Sequence, residues 1–149
     1  MPDSAVCDLI IASENAIFAL PEPRVGLEAL AGGIHRLPRE IGMKQAMGML
    51  LTGRRVGAAE GKSLGFVNEV VPQGGALAGA KAWAALILEC APLSVRGSKQ
   101  AAMQGMAADS LEAAIKGKYD QILAMYSGAD FVEGPKAFAE KRAPNWTGE

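Results

Sequence analysis

The run that organises the start of this chain is Val6-Cys7-Asp8-Leu9-Ile10-Ile11-Ala12. It is short, apolar and rich in β-branched residues, which is typical of a strand buried on both faces of a sheet. Such a strand needs a neighbour on each side, yet only five residues precede it in the 149-residue sequence. We therefore expect the chain to begin in the middle of a larger fold, and we expect its open strand edge to promote aggregation.

Beyond this run, the sequence predicts strands first and helices afterwards, within one domain. Apolar runs at residues 17–20 and 66–71 predict two further strands. Pro38 suits the first turn of a helix, and Gly53 suits its C-terminal end. Asp109 is predicted to cap a later helix, with an acidic residue three positions on. The predicted helices span about residues 38–51, 58–64, 76–88, 93–106, 109–126 and 131–142.

The composition is that of a globular chain with little net charge. Half of the residues are hydrophobic and the formal net charge is −1, so nucleic acid is not an expected partner. His35 is the only histidine, and we expect no metal site. Cys7 and Cys90 lack the spacing of metal ligands or of a disulfide framework, and we interpret them as buried, reduced thiols. We recognise no signal peptide and no run long enough to span a bilayer, so we expect a cytoplasmic protein without membrane contact.

Glu22 is the candidate catalytic residue. It follows an apolar run directly and stands between Pro21 and Pro23, which restrict the backbone and hold the carboxylate in a narrow range of positions. Phe18 and Leu20 are close enough in sequence to remove water from the carboxyl group. On these features alone, a carboxylate in a surface turn is the favoured interpretation.

A set of short motifs runs through nearly the whole chain. They are Cys7-Asp8-Leu9-Ile10-Ile11-Ala12-Ser13-Glu14-Asn15-Ala16, Phe18-Ala19-Leu20-Pro21-Glu22, Val25-Gly26, Gly32-Gly33, His35-Arg36-Leu37, Ile41-Gly42, Leu51-Thr52-Gly53-Arg54, Ala58-Ala59-Glu60, Leu64-Gly65-Phe66-Val67-Asn68 and Glu133-Gly134-Pro135-Lys136-Ala137-Phe138-Ala139-Glu140-Lys141-Arg142. Together these motifs resemble the second half of crotonase-superfamily sequences. Enoyl-CoA hydratases and carnitinyl-CoA dehydratases are the most similar members.

The resemblance implies a truncated α/β crotonase fold, with a few strands followed by a mostly helical region. Residues 1–75 would form the end of the β/α core, and residues 76–149 would form a helical oligomerisation region. The implied function is that of a lyase of fatty acid metabolism, the reversible hydration of a trans-2-enoyl-CoA to a 3-hydroxyacyl-CoA. The implied partners are an acyl-CoA thioester and further copies of the chain, in a homotrimer or a dimer of trimers. No separate cofactor is implied, because CoA is part of the substrate.

The resemblance also assigns roles to individual residues. Glu22 matches the family glutamate that exchanges a proton with the α-carbon of the substrate or with water. Pro21 and Gly26 match positions beside the acyl pocket, where a side chain in place of the glycine would obstruct close approach. Phe138 and Lys141 match positions on the last helix that help to hold CoA.

The sequence departs from the family before the first strand. The family's Gly-Gly-Gly segment, which supplies one oxyanion donor, and its second glutamate normally stand there, whereas this chain has Met1-Pro2-Asp3-Ser4-Ala5. Losing one oxyanion donor costs about 10²–10³ in rate, and losing a general acid or base costs about 10²–10⁴. We therefore expect turnover near background from this chain alone. The alternatives are a non-catalytic crotonase fragment that acts in oligomer or CoA binding, a carnitinyl-CoA dehydratase, or an enoyl-CoA isomerase.

Overall fold

The computed structural model describes residues 7–149, and the chain divides into two compact units, Met1–Ala82 and Trp83–Glu149. The described strands all lie in the first unit, and the second unit is helical. In chain order the elements are β1 (Ile11–Ser13), β2 (Ile17–Phe18), a 3₁₀ turn (Glu22–Val25), α1 (Gly33–Ile41), α2 (Met43–Thr52), β3 (Val56–Gly57), α3 (Ala58–Leu64), β4 (Glu69–Val71), α4 (Ala76–Leu88), α5 (Pro92–Gly105), α6 (Leu111–Ile115), α7 (Asp120–Ser127) and α8 (Asp130–Ala139).

Two small sheets organise the first unit. β1 pairs in parallel with β4, and β2 pairs in antiparallel with β3. Asn68 extends the parallel pair, because its side-chain Oδ1 accepts a hydrogen bond of 2.8 Å from the Ile10 backbone amide while its backbone amide donates to the Ile10 carbonyl at 2.9 Å. The strand predicted at residues 6–12 is shorter than expected, because β1 spans only Ile11–Ser13. Val6 lies outside the described residues. The predicted strand at 17–20 is likewise reduced to the two residues of β2.

The third predicted strand, at 66–71, loses its first half to the end of a helix. The amides of Phe66 and Val67 both donate to the Gly61 carbonyl at 3.2 Å, so they close α3 and are unavailable to a sheet. Gly65 makes this turn possible with φ of 99°, a left-handed conformation that glycine adopts without steric cost. The helix at 58–64 is confirmed with the predicted bounds.

The prediction of one helix at 38–51 is wrong in two respects: the helical segment begins earlier, and it consists of two helices. α1 begins at Gly33, so Pro38 lies inside the helix and not in its first turn. A break then separates α1 from α2 at Gly42, whose φ of 81° interrupts the helical backbone. Gly53 ends α2 as predicted, with φ of 58° and its amide bonded to the Met49 carbonyl.

A contiguous hydrophobic core lies in the first unit. Phe18 and Phe66 meet edge to face with ring centroids 5.2 Å apart, an arrangement favoured by the charge distribution of aromatic rings. α2 contributes Ala46 and Met49, both fully buried, and so presents a fixed helix to the rest of the unit. The core residues are Ala12, Phe18, Leu20, Ala29, Leu37, Ala46, Met49, Val56, Ala58, Phe66 and Val67.

In the second unit, the predicted helix at 109–126 is divided in two. The Tyr119 hydroxyl donates a hydrogen bond of 2.6 Å to the Ala114 carbonyl. Gly117 leaves the space for this contact, since a Cβ there would lie 2.7 Å from the Tyr119 hydroxyl oxygen. Ser110, and not Asp109, caps α6, because its Oγ accepts a hydrogen bond from the Ala113 amide at 3.0 Å.

Polar contacts hold the C-terminal residues of the second unit against α8. The buried carboxylate of Asp130 accepts hydrogen bonds from the amides of Thr147 and Gly148 and from the Thr147 hydroxyl, at 2.8–3.0 Å. These bonds, led by that from the Thr147 amide, lower the pKa of Asp130. α8 itself spans Asp130–Ala139, three residues short of the predicted end at 142.

Membrane-spanning potential is limited among the described helices. Each is too short or too polar to cross a bilayer singly, while α4 and α5 reach the required length and hydropathy only as a pair bent by 106°.

Candidate functional site

The 3₁₀ turn that begins at Glu22 is fixed by its own backbone. Pro21 precedes the turn and Pro23 lies within its first positions, so φ is restricted at both neighbours of the glutamate. The Arg24 amide donates to the Pro21 carbonyl at 2.9 Å, and the Leu27 amide donates to the Glu22 carbonyl at 3.0 Å. The sequence prediction of a constrained glutamate directly after an apolar run is thus realised as a defined turn.

The carboxylate of Glu22 carries the most unusual feature of this turn. Its Oε2 is buried and has no hydrogen-bond partner within the described residues. Buried polar atoms almost always have a partner, because leaving one without a hydrogen bond costs free energy. A buried acceptor without a donor is therefore the expected sign of a group that meets a substrate or a donor from elsewhere.

Gly26 ends the turn, with φ of 76°. This left-handed conformation is by itself a reason for glycine. A Cβ added there would meet no atom within 4 Å among the described residues, so the space beside it is open. The obstruction expected from the sequence would have to involve a bound molecule, and the role of Gly26 beside an acyl chain stays a prediction.

Two further predicted site residues, Phe138 and Lys141, lie in the second unit. Phe138 is 88% exposed on α8, which is unusual for a large aromatic side chain. Lys141 lies just past the helix end with φ of 53°, the sole non-glycine residue with positive φ in residues 7–149. Its amide donates to the Phe138 carbonyl, and the next amide donates to the Ala137 carbonyl, which is the Schellman arrangement that usually places glycine here.

A lysine in this conformation carries a steric cost that a glycine would not. Lys141 is exposed, and no ion pair to it is found in the described part of the chain. Strain of this kind concentrates at functional sites, so the backbone gives the lysine a significance that its sequence position did not. Its contact with CoA stays a prediction.

Arg142, the second member of the basic pair 141–142, is already engaged. Its guanidinium binds Glu133 in a bidentate pair, at 2.6 and 2.9 Å, and its Nε donates to Glu140 at 2.6 Å. Hydrogen bonds from Arg142 and from the Asn145 amide lower the pKa of Glu133 to about 2, and the same carboxylates raise the pKa of Arg142. Sequence reasoning missed this network, although Glu133, Glu140 and Arg142 stand in one quoted motif.

The structure thus brings Pro21, Glu22 and Gly26 together in one turn of the first unit and Phe138 and Lys141 together at one helix end of the second. His35 is exposed on α1, and its carbonyl accepts a hydrogen bond from Arg39 at 2.6 Å. Residues 7–149 contain no cluster of three or more potential metal ligands. Cys7 and Cys90 are exposed, so the expectation that they are buried is wrong.

Comparison with known proteins identifies the class to which these features belong. Solved structures with the crotonase fold superpose on nearly the whole chain: the enoyl-CoA hydratase of Bacillus anthracis matches 97% of it with a TM-score of 0.91 and 36% identity, over 56% of its own length. The enoyl-CoA hydratase of Mycobacterium tuberculosis matches 96% with a TM-score of 0.88 and 35% identity, over 56% of its length. The predicted crotonase fold is confirmed.

The family follows from the sequence match. The enoyl-CoA hydratase/isomerase family matches residues 4–149, and the chain belongs to this family. Among curated relatives, the mevalonyl-coenzyme A hydratase of Aspergillus fumigatus is 39% identical over 143 residues, which are 95% of this chain and 53% of that protein. The carnitinyl-CoA dehydratase of Escherichia coli K12 is 36% identical over 145 residues, 95% of this chain and 55% of that protein. The chain therefore spans about half the length of the curated relatives it matches.

Proposed function

We propose that Glu22 is the proton-exchanging residue of a site for the reversible hydration of a trans-2-enoyl-CoA to a 3-hydroxyacyl-CoA. The observation that carries the proposal is the buried Oε2 of Glu22, which has no donor among residues 7–149 and sits on a turn with restricted backbone. In hydration, the oxygen of water bonds to C3 of the enoyl group, the proton that leaves water passes to a base, and another proton is delivered to C2. A protonated Glu22 would supply the proton to C2, the second family glutamate from outside residues 1–149 would take the proton from water, and in dehydration the Glu22 carboxylate would take the C2 proton back.

The other residues of the turn would shape the acyl side of this site. The ring of Pro21 fixes the backbone immediately before Glu22, and the open space beside Gly26 leaves room for a substrate to approach the backbone. Fixed geometry of this kind supports catalysis because the reacting groups then need little reorganisation.

Phe138 and Lys141 would form a CoA-binding surface on the second unit, which is proposed separately from the turn of Glu22. An exposed ammonium group suits a phosphate of CoA as a charge-assisted hydrogen-bond donor, and an exposed aromatic face suits the adenine ring or the pantetheine arm. The strained backbone of Lys141 supports this role, because a glycine would satisfy the helix end at lower cost.

The extent of the match sets the expected rate. Since the chain spans about half of its relatives, the oxyanion donors and the second glutamate that the family resemblance implies would have to come from outside residues 1–149. We therefore expect near-background turnover from this chain alone. We expect turnover to appear in a joined chain, in which residues 7–149 follow the segment that precedes the matched region of the Bacillus anthracis hydratase.

The experiment measures hydration of crotonyl-CoA by loss of absorbance of the enoyl thioester. We expect the joined chain to hydrate crotonyl-CoA, and Glu22→Gln to lower kcat by about 10²–10⁴. Glu28→Gln is the matched control, since Glu28 is an exposed carboxylate of the same loop, and its rate should equal that of the unaltered joined chain. A Glu22→Gln variant with an unchanged rate would refute the proposal.

A second candidate is a non-catalytic CoA-binding protein, which the half-length match favours. The two candidates differ in two results. A CoA-binding protein would bind a 3-hydroxyacyl-CoA with equal affinity before and after Glu22→Gln and would stay inactive in the joined form. The hydratase and dehydratase relatives leave a carnitinyl-CoA dehydratase or an isomerase as alternatives within the family, to be separated by assays with carnitinyl-CoA and 3-enoyl-CoA substrates.

A further inference from the structure

The side chain of Arg24 connects the turn that carries Glu22 to a buried helix. Its Nε donates a hydrogen bond of 3.1 Å to the carbonyl of Thr52, the last residue of α2. The last carbonyls of a helix have no partner within the helix and carry partial negative charge, so a guanidinium is a favourable partner there. The bond spans 28 residues of sequence, and within residues 7–149 it is the side-chain hydrogen bond that joins these two elements.

The end of α2 is shaped to receive this arginine. Gly53 has no side chain, and a Cβ there would lie 3.1–3.3 Å from Nε, Cγ and Cδ of Arg24. The arginine therefore lies directly over the glycine, in close contact along much of its length. Gly53 consequently has two reasons to be glycine, its φ of 58° and the arginine above it.

The helix that receives Arg24 is packed into the core of the first unit. Ala46 and Met49 of α2 are fully buried in the core, and the Thr52 hydroxyl donates to the Gly48 carbonyl one turn earlier. The hydrogen bond from Arg24 therefore ties the turn to a helix that is packed in the core, and Glu22 lies two residues before Arg24 in that turn.

We propose that Arg24 is a positioning residue, which holds the carboxylate of Glu22 in its buried orientation by anchoring the 3₁₀ turn to the C-terminal end of α2. The significance of this anchor for catalysis rests on the proposed function. The position of the carboxylate, however, is measurable without turnover. Such an anchor would keep Oε2 buried although it has no donor among residues 7–149, since free rotation of the turn would expose it to water.

The experiment measures how fast a water-soluble carbodiimide couples Glu22 to glycinamide, read residue by residue by peptide mass spectrometry on the 149-residue chain. Losing one solvent-exposed hydrogen bond should make the open turn about two- to tenfold more populated, so Arg24→Ala should accelerate coupling at Glu22 by that factor. Arg24→Lys should recover part of the protection, because an ammonium group also donates to a carbonyl. Arg55→Ala, which removes an exposed arginine near the same helix end, should leave the rate unchanged.

Two carboxylates in the same digest serve as references. Glu28 is exposed and should react at one rate in every variant, whereas the half-buried Glu133 in the second unit reports general unfolding. An unchanged Glu22 rate in Arg24→Ala would overturn the inference, and so would equal acceleration at Glu22 and Glu133. The proposed function fails on a different result, the rate of the joined chain after Glu22→Gln, so the two can be refuted separately.

Discussion

The two units of this protein are stabilised in different ways. The first has a contiguous core of eleven buried hydrophobic residues, and the glycine-ended turns around it bring Glu22 to a fixed place. In the second unit the described residues bury few large apolar side chains, and Leu93 is the main one. Its defining contacts are polar: the Asp130 carboxylate with Thr147 and Gly148, and the Glu133–Arg142 pair.

This difference distinguishes the candidate catalytic residue, in the first unit, from the proposed CoA-binding residues, in the second. Burial holds the catalytic candidate, while hydrogen bonds hold the helix end that would bind CoA. Many large apolar side chains of the second unit remain exposed, which fits the predicted homo-oligomer without testing it. The exposed apolar residues of that unit include Leu86, Leu88, Met103, Met106, Leu111, Ile115, Leu123, Tyr126, Val132 and Phe138.

The largest expected effect comes from removing a core side chain. Leu37 is 2% exposed in the first unit, so Leu37→Ala should lower the free energy of unfolding by about 2–5 kcal/mol. Leu88 is 80% exposed in the described structure, and Leu88→Ala should change the free energy of unfolding by less than about 0.5 kcal/mol. Urea unfolding followed by circular dichroism measures both. Equal losses would show that Leu88 is buried in solution and would contradict the contrast between the units.

A smaller effect is expected from adding a methyl group to the core. A Cβ at Gly61 would lie 2.8 Å from the Phe66 ring and 2.9 Å from Val67, so Gly61→Ala should cost about 1–3 kcal/mol. Gly57 is the control in the same unit, because a Cβ there would meet nothing within 4 Å and its φ is −75°. Thermal unfolding of Gly57→Ala should be close to that of the unaltered chain. A Gly61→Ala variant of full stability would mean that α3 packs less closely than described.

The polar contacts of the second unit predict a response to acid. The pKa of Glu133 is lowered to about 2 by Arg142, so its contribution is complete above the ordinary glutamate pKa near 4.5 and is lost as the pH falls toward about 2. In Glu133→Gln, the unfolding temperature should decrease less than in the unaltered chain as the pH is lowered from about 4.5 to about 2. Glu112→Gln, at an exposed pair with Lys116, should leave the slope unchanged. An identical slope in both variants would exclude Glu133 as a source of acid sensitivity.

The smallest stability effect is expected at Lys141. Lys141→Gly should relieve the left-handed backbone and raise the free energy of unfolding by up to about 1 kcal/mol, while weakening the binding of CoA. Calorimetric titration with CoA and chemical unfolding measure the two effects on one variant. Higher stability with unchanged CoA affinity would remove Lys141 from the proposed CoA-binding surface of the second unit.

Helix ends were predictable where glycine decides them. Gly53 and Gly65 end their helices as the sequence indicated, because both require positive φ. Breaks within a predicted helix were not predictable from hydrophobic spacing: the helix at 109–126 is interrupted around Gly117, where the Tyr119 hydroxyl bonds to the Ala114 carbonyl. The strand predicted at 66–71 is shortened by another local contact, since the amides of residues 66 and 67 bond to the Gly61 carbonyl of α3.

The candidate site was predictable in identity but not in environment. Motifs located Glu22, yet the absence of a donor to its Oε2 among residues 7–149 depends on packing that the sequence does not display. The role of Arg24 is not predictable from local sequence, because its partner, Thr52, lies 28 residues away. The strain at Lys141 was equally hidden, since only the backbone angle distinguishes it from an ordinary surface lysine.

The central claim is that Glu22 exchanges the proton in hydration of an enoyl-CoA. The most direct measurement is kcat for crotonyl-CoA in the joined chain, with Glu22→Gln compared against Glu28→Gln. The account predicts a loss of about 10²–10⁴ for Glu22→Gln and no loss for Glu28→Gln. Equal rates in the two variants would contradict it.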